Sequence, residues 1–234
     1  MLPLPLQRRP NAALLRARVW RGRVGLCLVA ALSVLAGMTD AIGFMATGDF
    51  VSFMSGNTTR LAVAASAGDF SLVARLLMLV AVFIGGNALG VIVARLGKRH
   101  ALPLLLLVAA LLGLAALLPG AYQLLALLLT ITAMGMLNAA VEQVNGLPMG
   151  LTYVTGALSR FGRGLGRWLL GERPHGWRVQ LVPWAGMLVG ALIGALLEQR
   201  LGLQALYASA GLALLLAGIA WKIPHRWQLR YMPR

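Results

Sequence analysis

Few residues in this chain could do chemistry in a water-poor setting, and they cluster. Asp40 is the only acid well inside a long apolar stretch, and a carboxylate within a membrane span is a functional group by default. Ser55-Gly56-Asn57 follows, three residues poorly suited to the middle of a helix in lipid, with Thr58 and Arg60 directly behind. A degraded copy of the whole stretch lies further on. Gly37-Met38-Thr39-Asp40-Ala41 returns as Gly135-Met136-Leu137-Asn138-Ala139, an offset of 135 − 37 = 98. Ser55 to Arg60 returns as Thr155 to Arg160, an offset of 155 − 55 = 100. This is an internal duplication. It makes Asp40, Ser55, Gly56, Asn57, Thr58, Arg60, Asn138, Thr155, Gly156 and Arg160 the candidate solute or pore residues.

The chemistry these types suggest is binding, not catalysis. Both breaks are expected to precede short helices, with Ser55, Asn57 or Thr58 capping the first and Thr155 the second. A helix start there turns unpaired N–H groups and partial positive charge inward, which favours an anion or a carbonyl dipole. Arg60 and Arg160 would sit about one turn on and reinforce that field. Asp40 reads either as a gate or proton carrier, or as a structural partner of Arg60, Thr39, Asn57 or Asn138. Arg160, Arg163 and Arg167, spaced three and four apart, also read as a face toward lipid headgroups.

Enzyme signatures are absent. His100, His175 and His225 are far apart in sequence and lack zinc-ligand spacing. There is no HExxH, GxSxG or phosphate loop, and a lone Asp40 cannot make an aspartyl dyad. No metal, cofactor or enzymatic activity is expected. Gly162, Gly164 and Gly166 read as helix packing. The single cysteine, Cys27, excludes an internal disulfide and reads as a small core residue.

Composition sets the class of element that must position these residues. The chain is 59% hydrophobic, 12% charged and has a mean hydropathy of +0.81, outside the range of soluble domains. The net charge of +15 sits between apolar runs rather than in an aromatic-studded patch, which argues against nucleic acid. Six stretches approach the roughly 20 apolar residues that cross a bilayer: about 24–46, 76–94, 101–118, 121–141, 179–197 and 203–221. Two more, within segments 50–67 and 144–170, fall short, and they hold the duplicated breaks. If these two dip in and return on one side, the Arg95–His100 loop, the Arg160–Arg178 loop and both termini share the positive, cytoplasmic side. Pro119-Gly120 and the Glu198–Gly202 turn then lie outside.

The expected fold is therefore an all-α polytopic membrane protein of about six spans with two re-entrant segments. Three crossings per half make the halves a 3+3 inverted repeat. Its parts are a basic arm (1–23), two membrane repeats (24–119 and 120–222) and a basic tail (223–234). Gly86 and Gly90 match Gly190 and Gly194 as small-residue faces that let helices approach closely. Asn87, beside Gly86, reads as either an interhelical hydrogen-bonding group or a pore-lining one.

The motif GMTDAIGFMATGDFVSFMSGNTT, followed by GMLNAA and LTYVTGALSRFG, resembles the YoaK family of bacterial integral membrane proteins. The matching positions are Gly37, Asp40, Ala41, Gly43, Phe44, Phe50, Val51, Phe53, Gly56 and Asn57, then Gly135, Met136, Asn138, Ala139, Thr152, Tyr153, Val154, Thr155 and Gly156. Ser55 stands where that family more often has threonine. The resemblance covers nearly the whole chain after the arm and implies a multi-pass inner-membrane protein, without a substrate or reaction. The expected function is a carrier or channel for a small polar solute, an anion among the candidates, embedded in the bilayer and open to homo-oligomerisation. The alternative is a non-transporting scaffold or accessory subunit.

Overall fold

The computed structural model describes residues 12–141, 143–144, 147–148, 151–173, 175–229 and 231–232. The Arg8-Arg9 end of the basic arm, Glu142, Gly146, Gly150 and Arg234 lie outside the described residues. Eight helices carry the described fold: α1 (Ala12–Thr47), α2 (Met54–Ser66), α3 (Phe70–Leu96), α4 (Ala101–Leu117), α5 (Gln123–Leu137), α6 (Val154–Leu169), α7 (Leu181–Leu201) and α8 (Leu206–Lys222). A single turn, α9 (His225–Gln228), follows, and a two-residue antiparallel pair joins Gln143–Val144 to Leu147–Pro148.

Four described stretches are long and apolar enough to cross a membrane: Val19–Thr47, Phe70–Leu96, Gly120–Leu137 and Arg178–Lys222. The last contains both α7 and α8, divided at Gly202, whose φ of 56° is in the left-handed region that a side chain disfavours. The apolar α4, with 17 residues, completes a set of six. These helices are hydrophobic nearly all round, as lipid requires. Ile84, Leu192 and Leu215 point outward and are exposed, while Leu32, Leu76, Leu105 and Ile131 are fully buried.

The structure adds one detail here and changes one expectation. α1 begins at Ala12, so Ala12 to Arg23 of the basic arm is helical and runs unbroken into the first span. Nothing in that sequence stops a helix. Cys27 is exposed and not in the core, because Leu28, Val29 and Leu32 occupy the buried side of α1.

Contacts fix the helix directions. Gly186, Gly190 and Gly194 of α7 lie against Ala30, Val34 and Met38 of α1 in ascending order, so these helices are parallel. Gly86 and Gly90 of α3 lie against Thr132 and Met136 of α5, also in parallel. The Gln123 side chain at the start of α5 donates to the Ala46 carbonyl at the end of α1, so α1 and α5 are antiparallel. α4 packs against α8. One face of the molecule is tied together at the C-terminal tail. The Arg99 guanidinium donates to the Leu229 and Met232 carbonyls, Gln228 accepts from the Ala101 amide, and the Tyr231 hydroxyl donates to Arg21. The start of α1, the α3–α4 loop and the tail therefore share a side.

Candidate functional site at the two helix breaks

The chain leaves α1 at Thr47 and turns back into the protein before α2 begins. The cause is local and polar. Backbone inside a bilayer must have its N–H and C=O groups satisfied by protein, and two side chains do this. The Asp40 carboxylate accepts the Val51 amide at 2.9 Å and the Ser52 amide at 2.7 Å. Asn57, fully buried, donates its carboxamide to the Phe50 carbonyl at 2.7 Å and accepts the Phe50 amide at 3.3 Å. The returning loop is pinned seven residues below the end of α1, at the level of Asp40. From there α2 runs outward again to the turn at Asp69, which accepts the Leu72 amide and starts α3. At 13 residues, α2 is about 20 Å long and too short to cross a ~30 Å core.

The expected position of the break is corrected by three residues. Ser55-Gly56-Asn57 and Thr155-Gly156 form the first turns of α2 and α6, so neither glycine interrupts a helix. The N-caps are Phe53 and Tyr153, and neither uses a side chain to cap. Ser55, Asn57, Thr58 and Thr155 are thus not caps; Asn57 bonds to Phe50, and the Thr58 hydroxyl donates back to the Met54 carbonyl. The glycines have another use. A Cβ at Gly56 would press on the Phe53 ring, and one at Gly156 on the Tyr153 ring, so each lets an aromatic side chain fold flat over its own helix start.

Arg60 does not meet Asp40. It pairs with Asp49 at 2.6 Å and with the Gly48 carbonyl, and Arg75 of α3 reaches the other Asp49 oxygen at 2.7 Å. Asp49, 1% exposed, thereby ties the end of α1 to α2 and α3. In the second half Asn138 accepts from the Thr152 hydroxyl at 3.0 Å, and Arg160 donates to Gln180 at 2.8 Å. Asn87 closes onto the Phe83 carbonyl of its own helix.

The copies agree contact by contact. Gly190 against Val34 matches Gly86 against Thr132, with 190 − 86 = 104 and 132 − 34 = 98. Gly194 on Met38 matches Gly90 on Met136, and Gly37 on Met187 matches Gly135 on Phe83, at the same offsets. At each of these glycines an added Cβ would collide with the facing backbone.

Between the two breaks lies a cavity of about 560 Å³, and its walls come in pairs. Ser52 faces it with Thr152, Phe53 with Tyr153, Met54 with Val154, Ser55 with Thr155, and Phe83 of α3 with Met187 of α7. Gly156 and Ser159 complete the wall. Among the described residues, the buried Ser52 hydroxyl, which faces this cavity, has no hydrogen-bond partner. Of the candidate residues, Ser55, Thr155 and Gly156 line the cavity. Asp40, Gly56, Asn57, Thr58, Arg60, Asn138 and Arg160 do not. Sequence reasoning missed Phe83 and Met187, although their spacing of 104 is that of the paired glycines. It also missed the stack of His100 on His225, ring centres 4.0 Å apart, which only the folded tail creates. Among the described residues no group of three or more His, Cys, Asp or Glu is placed to hold a metal.

Six apolar helices, with two short helices that turn back beside α3 and α7, define a polytopic helical membrane protein. The chain belongs to the family described as a protein of unknown function, DUF1275, whose model matches residues 28–219. It is 54% identical over 212 residues to a UPF0700 transmembrane protein of Rhizobium meliloti (strain 1021), covering 91% of this chain and 93% of that protein. No solved structure matches it.

Proposed function

We propose that this protein is a carrier or channel for a small polar solute, not an enzyme, with the cavity between the two breaks as its passage. The observation that carries the reading is the paired lining of that cavity by equivalent residues of both halves. Repeats related by an axis in the membrane plane place solute sites at their interface, on the starts of broken helices. Here two helix starts, at Met54 and Val154, converge on one cavity lined by Ser55 and Thr155 and by the buried, unpartnered Ser52 hydroxyl. Their N–H groups and dipoles favour an anion or a carbonyl oxygen. The parallel pairs α1–α7 and α3–α5, antiparallel to each other, support an inverted 3+3 repeat. The positive-inside tendency supports an inner-membrane placement with both termini and the Lys98 loop cytoplasmic, and the YoaK-like motifs fit it.

The test is uptake by the purified protein in liposomes across a panel of small anions, zwitterions and neutral polar solutes. Ser55→Trp and Thr155→Trp, which fill the cavity from exposed positions, should abolish uptake while leaving the protein folded. A panel with no solute above empty liposomes supports the scaffold reading and removes this one. Uptake that both tryptophan variants leave intact removes this cavity as the passage.

A further inference from the structure

The two halves differ at one place where the sequence offset grows. Between Arg160 and Gly190 the offset rises from 100 to 104, so the second copy holds four more residues than the first. In the first half α2 reaches α3 through the tight turn Ala67–Asp69. In the second, the chain from His175 to Gln180 folds back along α6 and makes a pocket of about 220 Å³. Gly164 permits this, because a Cβ there would collide with Trp177. The Trp177 ring is then held between Phe161, at 5.1 Å, and Trp168, at 6.3 Å.

The pocket is strongly basic. Arg160, Arg163 and Arg167 of α6 line it on one side, and His175, Trp177 and Gln180 on the other. Gln180, buried, holds the Arg160 Nε, and the Ser159 hydroxyl holds Arg163 at 2.8 Å. The equivalent arginine of the first half is neutralised by Asp49. Here, among the described residues, no carboxylate pairs with Arg160, Arg163 or Arg167. Three guanidinium groups with spare N–H donors, beside an aromatic wall, match the several oxygens of a phosphate group. A water takes about 30 Å³ in the liquid, so the space holds such a group with some of its hydration. α6 runs from the cavity toward the face that carries the tail, so Arg167 and Trp168 come to the headgroup level, where basic and aromatic residues collect.

We propose that this pocket binds a phosphate group, either free or on an anionic phospholipid. The proposal stands independently of the transport reading. The full-length protein, in phosphatidylcholine nanodiscs, is tested by two probes: inorganic phosphate against chloride at matched ionic strength, and phosphatidate mixed into the phosphatidylcholine. Thermal shift reads the first and retained lipid by native mass spectrometry the second. Either probe should bind, and the one that does identifies the source. Arg163→Gln with Arg167→Gln, both exposed positions, should weaken binding by at least about tenfold, the effect of losing one charge-assisted hydrogen bond. Gly164→Val keeps every charge and should also weaken it, because the Trp177 wall is displaced. Arg226→Gln, exposed on the same face of the molecule, should leave it unchanged. Binding of neither probe overturns the proposal, and so does an Arg226→Gln loss as large as that of the double variant.

Discussion

Removing the Asp40 carboxylate should loosen the first break while leaving the helices around it intact. In Asp40→Ala, the Val51 and Ser52 amides lose their acceptor at a depth where water cannot replace it. A buried donor left unpaired costs about 1–3 kcal/mol, so two cost roughly 2–6 kcal/mol. Asp40→Asn keeps one oxygen in place. It loses the charge-assisted part of each bond, about 1 kcal/mol apiece, and regains some of that because an amide is cheaper to bury than a carboxylate. The expected order of thermal stability in detergent is wild type, then Asn, then Ala. The Ala variant should melt lower by on the order of 10 °C, at about 2–4 °C per kcal/mol. Arg60→Gln should not rescue either variant, since Arg60 bonds to Asp49 and not to Asp40. Their effects should add within about 0.5 kcal/mol. An Asp40→Ala protein as stable as wild type would refute the pinned-loop account. Recovery of Asp40→Asn by Arg60→Gln would point to a direct Asp40–Arg60 pair in the wild-type protein and refute it as well.

Asp49→Asn strands two arginines at once; with both side chains more than a third exposed, the loss should be about 2–3 kcal/mol, below the 3–5 of a fully buried pair. Arg60→Gln alone should cost less, because Arg75 still holds the carboxylate; equal losses in a melting assay would count against the shared-ion cluster. Gly190→Val should separate α1 from α7 and cost about 1–3 kcal/mol or more, whereas Gly218→Val, with open space around it, should be neutral in the same folded-fraction measurement. With Cys27 replaced, single cysteines near Lys98 and Tyr231 should label from the same side of the membrane and one at Gly120 from the other; Lys98 and Gly120 labelling together would break the six-span arrangement.

Legibility in the sequence followed the kind of force involved. Spans were legible because lipid demands long apolar runs, and α3, α4, α5, α7 and α8 fall within a few residues of the hydropathy segments. The short lengths of the α2 and α6 regions were legible for the same reason. The point where each helix begins was not, because it depends on which distant side chain satisfies the loop. Asp40 reaches Val51 and Ser52 across eleven and twelve residues, and Asn57 reaches back to Phe50. The sequence reading offered Arg60 to Asp40, whereas the fold gives it to Asp49. Which acid it meets is decided by the returning loop, which sets Asp49 beside both α2 and α3. The basic pocket was half visible: the arginine spacing could be read, but not the wall that Trp177 lays over Gly164.

The duplication also separates what the architecture requires from what each half has adapted. The polar groups have drifted: Asp40 is answered by Asn138, Asn57 by Ala157, and the Asp49 ion cluster by an Arg160–Gln180 bond. The close approaches have not. Gly37, Gly86, Gly90 and their partners Gly135, Gly190 and Gly194 meet the same facing positions in both halves. That contrast has a physical cause. Lipid gives helices no hydrophobic reason to associate, so backbone-to-backbone packing must hold them together, and a single added methyl ends it. A loop N–H, by contrast, can donate to a carboxylate, an amide or a hydroxyl oxygen. The bundle can thus keep one geometry while the chemistry at its two breaks diverges. Such divergence is what allows one re-entrant helix to carry a neutralised arginine at its face and the other an open basic pocket.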